Sequence, residues 1–282
     1  MRLSDSAVKS KIKNQKSMMV NTEILCRKVI EIAKSTGAFI FSELDKVKIH
    51  HIESKGTHDY VTYVDKTAEE QLVKGLHEIL PEAGFVTEEN TIETQQREYM
   101  WIIDPLDGTT NFIHGLPCFS ISIALLQNSE VIMGVVYEIN LDECFYSWGG
   151  GKAYLNGKEI KVSKTARLTD SLLATGFPYH DYSRLEKYLE LFTWCLHNTH
   201  GVRRLGSAAV DLAYVACGRF DAFFEYGLNA WDVAAGGFIV QQAGGKVTDF
   251  SGGNNFNFGR EILATNAYIG EEFLDKAKHA FS

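Results

Sequence analysis

The chain has 282 residues, 45% of them apolar and 23% charged, with only four prolines, a composition of ordinary globular proteins that leaves no room for low-complexity tracts. That length supports one large domain or two modest ones, either with a substantial core. The formal charge of −8 speaks against direct nucleic-acid binding and against an anionic membrane as partner, because both demand clustered Lys and Arg. An acidic chain can still hold an anionic small molecule if divalent cations sit between its carboxylates and the ligand.

The five cysteines, Cys26, Cys118, Cys144, Cys195 and Cys217, are odd in number, scattered and free of C-x-x-C pairing, which points to a reducing compartment, simply the cytoplasm, and away from structural zinc. No apolar run approaches the ~20 residues of a membrane-spanning helix. Residues 1–20 read as a tail carrying Lys9, Lys11, Lys13 and Lys16 without an apolar secretory core. Met18 and Met19 directly precede the first amphipathic segment, so residues 1–17 read as a frayed extension or an over-long reading of the gene.

From Thr22 to about Val47, Leu25, Val29, Ile32, Ala33 and Ile40 recur at helical spacing, and a second helix is predicted from Lys66 to Leu80 with Leu72, Leu76, Ile79 and Leu80 on one face. Between them the alternating β-formers of Lys55-Gly-Thr-His-Asp-Tyr-Val-Thr-Tyr-Val-Asp65 form a short strand or loop that delivers Asp65 to the next helix start. Strand-like runs follow at Met100 to Ile103, Phe119 to Leu126, Val131 to Glu138 and Glu143 to Trp148, and Asn156-Gly157 marks a hairpin turn. After about Ser163, strand candidates at Leu172 to Thr175, Ala222 to Glu225, Lys246 to Asp249 and Ile262 to Ala264 alternate with helices near Arg184 to His197, Ser207 to Cys217 and Asp232 to Ala243. Residues 21–165 thus read as an α+β half and 166–282 as an α/β half. No linker separates the two, so they share an interface.

The most informative segment is Trp101-Ile-Ile-Asp104-Pro-Leu-Asp107-Gly-Thr109-Thr-Asn111-Phe. A buried strand ends at Ile103, and Pro105 and Gly108 let the turn fold Asp104 and Asp107 toward one point. Gly108-Thr109-Thr110 then offers backbone N–H groups at a helix start, an anion cradle. Carboxylates and phosphate-binding amides in one turn imply a metal. Each Asp alone is a common turn or N-cap residue; together, after an apolar strand, they point to function. Glu88-Glu89, read alone, is a solvated helix start. Asp232 opens a helix of small residues, an N-cap that close packing would hold rigidly at a cleft. These candidates are all oxygen donors and no histidine falls in a metal-binding pattern, so the implied ion is hard, magnesium before calcium or zinc.

These residues resemble the inositol monophosphatase family of the lithium-sensitive, magnesium-dependent phosphatases. Trp101 to Phe112 is similar to its first signature and Trp231-Asp-Val-Ala-Ala-Gly-Gly with Gln242-Ala-Gly-Gly245 to its second. Asp59-Tyr-Val-Thr-Tyr-Val-Asp65, Thr87-Glu88-Glu89, His200 to Ala209 and Phe223-Phe-Glu225-Tyr-Gly carry the likeness from about residue 22 to 270. The resemblance implies a five-layered α-β-α-β-α sandwich. It implies two or three magnesium ions held by Glu88, Asp104 as the bridging ligand, the Leu106 carbonyl, Asp107 and Asp232. It also implies an Asp65–Thr109 relay that deprotonates the attacking water, with Glu88 beside it among the catalytic groups. Phosphate would rest on Gly108 and Thr109, and Arg203, Gly206, Ser207, Ala208 and Glu225 would line the substrate side together with Asp107 and Asp232. Lys55 falls near a family lysine at the metal region, and Asn90 replaces a serine common after the acidic pair.

The function so implied is hydrolysis of a small phosphorylated polyol or sugar, myo-inositol monophosphate first, by a homodimer inhibited by lithium. Fructose 1,6-bisphosphate and nucleotide 3′,5′-bisphosphates are alternative substrates within the superfamily. An aspartyl-phosphate mechanism of the haloacid dehalogenase type is disfavoured because one residue too many separates Asp104 from Asp107. Gly149-Gly-Gly-Lys152 lacks the spacing of a Walker loop and reads as a hairpin turn. From a different class, the chain could serve as a binding partner of transcription complexes, although nothing basic or aromatic-interleaved supports direct RNA contact.

Overall fold

The computed structural model describes residues 21–47, 52–56, 59–179 and 181–282, with 52–61 as backbone only, so the tail of residues 1–20 and the Lys55 side chain lie outside the described residues. Helix α1 (Thr22–Glu43) is capped by Asn21, whose side chain accepts from the Ile24 amide, and buries Leu25, Cys26, Val29, Ala33 and Ile40 along one stripe. It stops at Glu43, short of Val47, where the chain turns. A two-stranded ribbon of β1 (Ile52–Gly56) and β2 (Asp59–Thr62) leads into α2 (Tyr63–Ile79), which starts one turn before Lys66 because Thr62 and Asp65 form a reciprocal capping box.

The large sheet runs in the order β3 (Gly84–Thr87), β4 (Tyr99–Asp107), β5 (Ser120–Gln127), β6 (Glu130–Glu138), β7 (Glu143–Ser147), β8 (Ala153–Leu155), β9 (Lys158–Ile160). Only β3 and β4 pair in parallel; every other pairing is antiparallel. Gly149 to Gly151 form the β7–β8 connection, and Asn156 (φ 47°) and Gly157 (φ 84°) turn β8 into β9. The β4 and β5 runs are almost wholly apolar because both faces are covered: Trp101, Ile103, Ile121 and Ile123 pack toward α1 and α2, while Met100, Ile102, Ala124 and Leu126 face the opposite side.

The second sheet has the order β11 (Gly201–Arg203), β10 (Leu172–Thr175), β12 (Ala222–Tyr226), β14 (Glu261–Thr265), β13 (Lys246–Thr248), parallel at β11–β10–β12 and antiparallel beyond. Between the sheets lie α5 (Ala208–Ala216) and α6 (Ala230–Gln242), whose Ala- and Gly-rich surfaces are buried on both sides. At Gly134 of β6 an added Cβ would stand 2.7 Å from the Ala235 carbonyl oxygen, so the missing side chain lets α6 lie directly on the sheet. The outer face of the second sheet is covered by α4 (Leu185–Asn198) and α7 (Gly270–Phe281), with Leu191, Phe224, Leu263 and Phe273 between. The result is the five-layered α-β-α-β-α sandwich expected from the sequence. All strands of the first sheet come from residues 84–160 and all those of the second from 172–265. The short α3 (Thr109–Ile113) follows β4 and sends Phe112 into the core shared with α1 and α2.

Candidate active site

Strand β4 does not end at Ile103 but runs on to Asp107, and its register against β5 slips on the way: Asp104 pairs with Ser122, Asp107 with Ser120. Residues three apart on a regular strand point to opposite faces. The extra residue reverses that parity, which is how Asp104 and Asp107 present their carboxylates on one side. The Leu106 amide donates to Asp104 Oδ1 at 2.9 Å, closing the turn around Pro105.

Three further elements bring their starts to this point. Asp107 Oδ2 accepts from Ser207 Oγ at 2.6 Å and from the Ala209 amide at 2.7 Å at the beginning of α5, and Asn229 N donates to Asp232 Oδ2 at 2.6 Å in the first turn of α6. Asp232 is therefore not the N-cap but the third residue of its helix, where it forms a capping box with Asn229, the cap residue. Carboxylate oxygens of Asp104, Asp107 and Asp232 all lie within 4.8 Å of one another. Glu88, just past the end of β3, faces the Asp104 carboxyl and is not the helix start that its sequence alone suggests.

Crowding of these acids shows in their proton affinities. Burial, then Glu88, Asp107 and Asp232, hold the Asp104 carboxyl well above the usual range. Burial pushes Asp107 up to about 6, against the opposing hydrogen bonds from Ser207 and the α5 amides. Burial and the Asp107 charge push Asp232 up to about 7, against the Asn229 amide and Arg260. Three oxygen-donor carboxylates at bridging distance, strained by mutual repulsion, are a set that a hard divalent cation would relieve. Among the described residues no histidine or cysteine lines the cleft around them.

This strain has a measurable sign. Asp107 and Asp232 bind their protons more tightly in the folded chain, so their contribution is complete below about pH 4 and is lost as pH rises through about 6 and about 7. Metal-free protein is expected to melt several degrees lower at about pH 8 than at about pH 5.5, and a divalent cation is expected to stabilise it more at the higher pH. Calorimetry with and without chelator checks both.

Asp65 is buried behind this wall, and its two oxygens have separate tasks. Oδ2 accepts from Thr62 N at 2.8 Å and Thr62 Oγ1 at 2.7 Å, which closes the α2 cap; Oδ1 is 3.0 Å from Thr109 Oγ1. The Thr109 hydroxyl also lies 3.0 Å from the Leu106 carbonyl, so one proton has two acceptors. Gly108 stands at φ 98°, and an added Cβ would meet the Cys118 carbonyl oxygen at 2.9 Å, so only glycine fits the corner between Asp107 and Thr109.

The cleft is also lined by Gly206, Ser207, Ala208 and Glu225. Glu225 is buried at the end of β12, its carboxyl well above the usual range through burial and the Asp232 charge, and a Cβ on Gly176 would fall 2.0 Å from its Oε2. Arg203 is not brought here: it is exposed and its Nη1 donates to the Val202 carbonyl. The neighbouring Arg204 lines the cleft instead, its guanidinium 5.4 Å from the Phe177 ring centroid, bonded to the Tyr179 hydroxyl, and holding Asp107 and Glu225 down against burial. Successive side chains on an extended segment point to opposite sides, so the Arg-Arg pair held the signal that one of the two would face inward. Asp211, also absent from the sequence reading, lines the same cleft, buried with Oδ1 unpartnered.

Residues 22–280 match the model of the inositol monophosphatase family. The chain belongs to that family. It is 41% identical over 242 residues to the Nus factor SuhB of Pseudomonas aeruginosa, covering 84% of this chain and 89% of that one. To the inositol-1-monophosphatase of Mesorhizobium japonicum it is 36% identical over 255 residues, 90% of this chain and 96% of the other. Its fold superposes on the crystal structure of the extragenic suppressor protein suhB from Bartonella henselae with a TM-score of 0.85 at 37% identity, covering 89% of this chain and 97% of that one. Among the described residues no helix is long and apolar enough to cross a membrane.

Proposed function

We propose that this member of the inositol monophosphatase family hydrolyses a phosphate monoester of a small polyol, myo-inositol monophosphate first, with magnesium as cofactor. The observation that carries the reading is the meeting of Asp104, Asp107 and Asp232 within 4.8 Å on the wall of a cleft that also holds Thr109 and Glu225. Glu88, Asp104, the Leu106 carbonyl, Asp107 and Asp232 would hold the two or three ions, which when bound supply Lewis acidity to phosphoryl oxygens and acidify water. Thr109 Oγ1 takes the proton of the attacking water as it passes its own to Asp65 Oδ1, 3.0 Å away. Asp65 is suited to receive it, because burial raises its proton affinity. Gly108 and Thr109 seat the phosphate. Ser207, Ala208, Glu225 and Arg204 flank the polyol, and burying its hydroxyls among carboxylates favours a ligand rich in hydrogen-bond donors.

Phosphate release over a panel of myo-inositol 1-phosphate, fructose 1,6-bisphosphate and adenosine 3′,5′-bisphosphate tests the reading. Release is expected to be fastest from the first, to vanish on exhaustive chelation and to return with magnesium. Turnover that survives chelation would contradict it. The same reading takes the protein as a lithium-sensitive homodimer of the cytoplasm, which light scattering and lithium titration address.

A second reading is favoured by the relatives named Nus factor SuhB, 41% identical in the Pseudomonas protein. Under it the chain acts as a partner of transcription complexes, through protein contacts, given its net charge of −8. Co-purification of transcription proteins with chain inactive toward the whole panel would decide for it.

A further inference from the structure

One buried acid has no part in the chemistry above. Glu69 lies on α2 one turn beyond Asp65 and is completely buried, yet it makes no ion pair among the described residues. Its carboxylate is turned toward the segment that follows Glu88. Oε2 accepts from the Glu89 amide at 2.7 Å, and Oε1 accepts from the Thr91 amide at 2.8 Å and the Thr91 hydroxyl at 2.7 Å. Between the two tethered residues the chain passes through Asn90 at φ 54°, whose Nδ2 donates back to the Glu88 carbonyl at 3.0 Å. Residues 88–91 are thus a tight turn held to α2 through the Glu69 carboxylate, which supplies acceptors only. An amide in its place would offer one oxygen to three donors and turn its own NH2 toward one of them.

We propose that Glu69 is a positioning residue that fixes Glu88 for metal binding by holding the turn 89–91 against α2. The inference rests on the assignment of Glu88 as a ligand under the function proposed above. Through Glu69 and Asp65, a single helix backs both the metal wall and the proton relay, so the two keep a constant spacing. Loss of a group that orients a metal ligand from behind typically costs about 10–100-fold in affinity.

The test is titration of the full chain with Mn2+ alone, followed by electron paramagnetic resonance. Glu69→Gln is expected to weaken Mn2+ binding about 10–100-fold, in the same direction as Glu88→Gln. The Glu69→Gln/Glu88→Gln double variant is expected to bind no more weakly than Glu88→Gln, since the strap then has nothing left to place. Turnover of Glu69→Gln should recover toward wild type at saturating magnesium, which a general loss of structure would not allow. Thr91→Val removes one of the three bonds and keeps the carboxylate; it is expected to weaken Mn2+ roughly 2–10-fold. Unchanged Mn2+ affinity in Glu69→Gln, or in Thr91→Val should Glu69→Gln fail to fold, overturns the proposal while leaving Glu88 as a ligand. Unchanged affinity in Glu88→Gln itself overturns the ligand assignment and this proposal together.

Discussion

Asp104→Asn is expected to lower phosphate release about 10³-fold at saturating magnesium while making the metal-free protein more stable. The loss follows from position: Asp104 is the most enclosed of the three clustered acids, with Glu88, Asp107 and Asp232 all raising its proton affinity. An amide there would offer cations one neutral oxygen in place of a carboxylate. Folding should survive, because an asparagine oxygen can still accept from the Leu106 amide that now donates to Asp104 Oδ1 at 2.9 Å. Asparagine is neutral at every pH and so escapes the cost of holding on Asp104 a proton that the unfolded chain would release, and the chelated variant should melt about 2–4 °C above chelated wild type. Phosphate release and calorimetry on the same preparation measure both signs. Full activity in Asp104→Asn refutes its bridging role.

The relay should fail in a different way. Asp65→Asn is expected to cut kcat by about 10²–10⁴ with Mn2+ affinity unchanged, and Thr109→Val to do the same while Thr109→Ser stays close to wild type. In the Asp65→Asn variant, the amide oxygen is claimed by the two Thr62 donors at 2.7 and 2.8 Å, which leaves the NH2 facing Thr109 Oγ1. The hydrogen bond then reverses: the new amide donates, and the threonine proton is left to the Leu106 carbonyl, 3.0 Å away. Thr109 could no longer shed a proton toward helix α2. Rapid-quench measurement of the chemical step, beside Mn2+ titration of each variant, separates this loss from a loss of metal. A variant with wild-type kcat would remove the relay from the mechanism.

Most of the layered fold was legible because its elements carry local signals. The stripe of Leu25, Val29 and Ala33 on α1, the unbroken apolar run of Met100 to Ile103, and the Asn156-Gly157 turn each state their geometry within a few residues. What escaped the sequence was set at longer range or by capping. The β3 strand, Gly84–Thr87, is four residues that gain identity only by parallel pairing with β4, and α7, Gly270–Phe281, was not read although its apolar stripe covers the outer face of the second sheet. Both helix starts bearing key acids were placed too late, since Asp65 and Asp232 behave as third residues in their helices rather than as entry caps. The carboxylates of the β4 turn were visible as types and spacing, but the register slip that brings Asp104 and Asp107 to one side exists only against β5. Arg204 shows the same limit: nothing local tells which of two adjacent arginines faces the cleft.

The central claim, that the Asp104–Asp107–Asp232 wall is a divalent-cation site, is tested most directly by anomalous diffraction from crystals equilibrated with Mn2+. The account predicts strong peaks within coordination distance of all three carboxylates, with Glu88 and the Leu106 carbonyl completing the shell. Manganese bound elsewhere, with these carboxylates bare at saturating concentration, would contradict it.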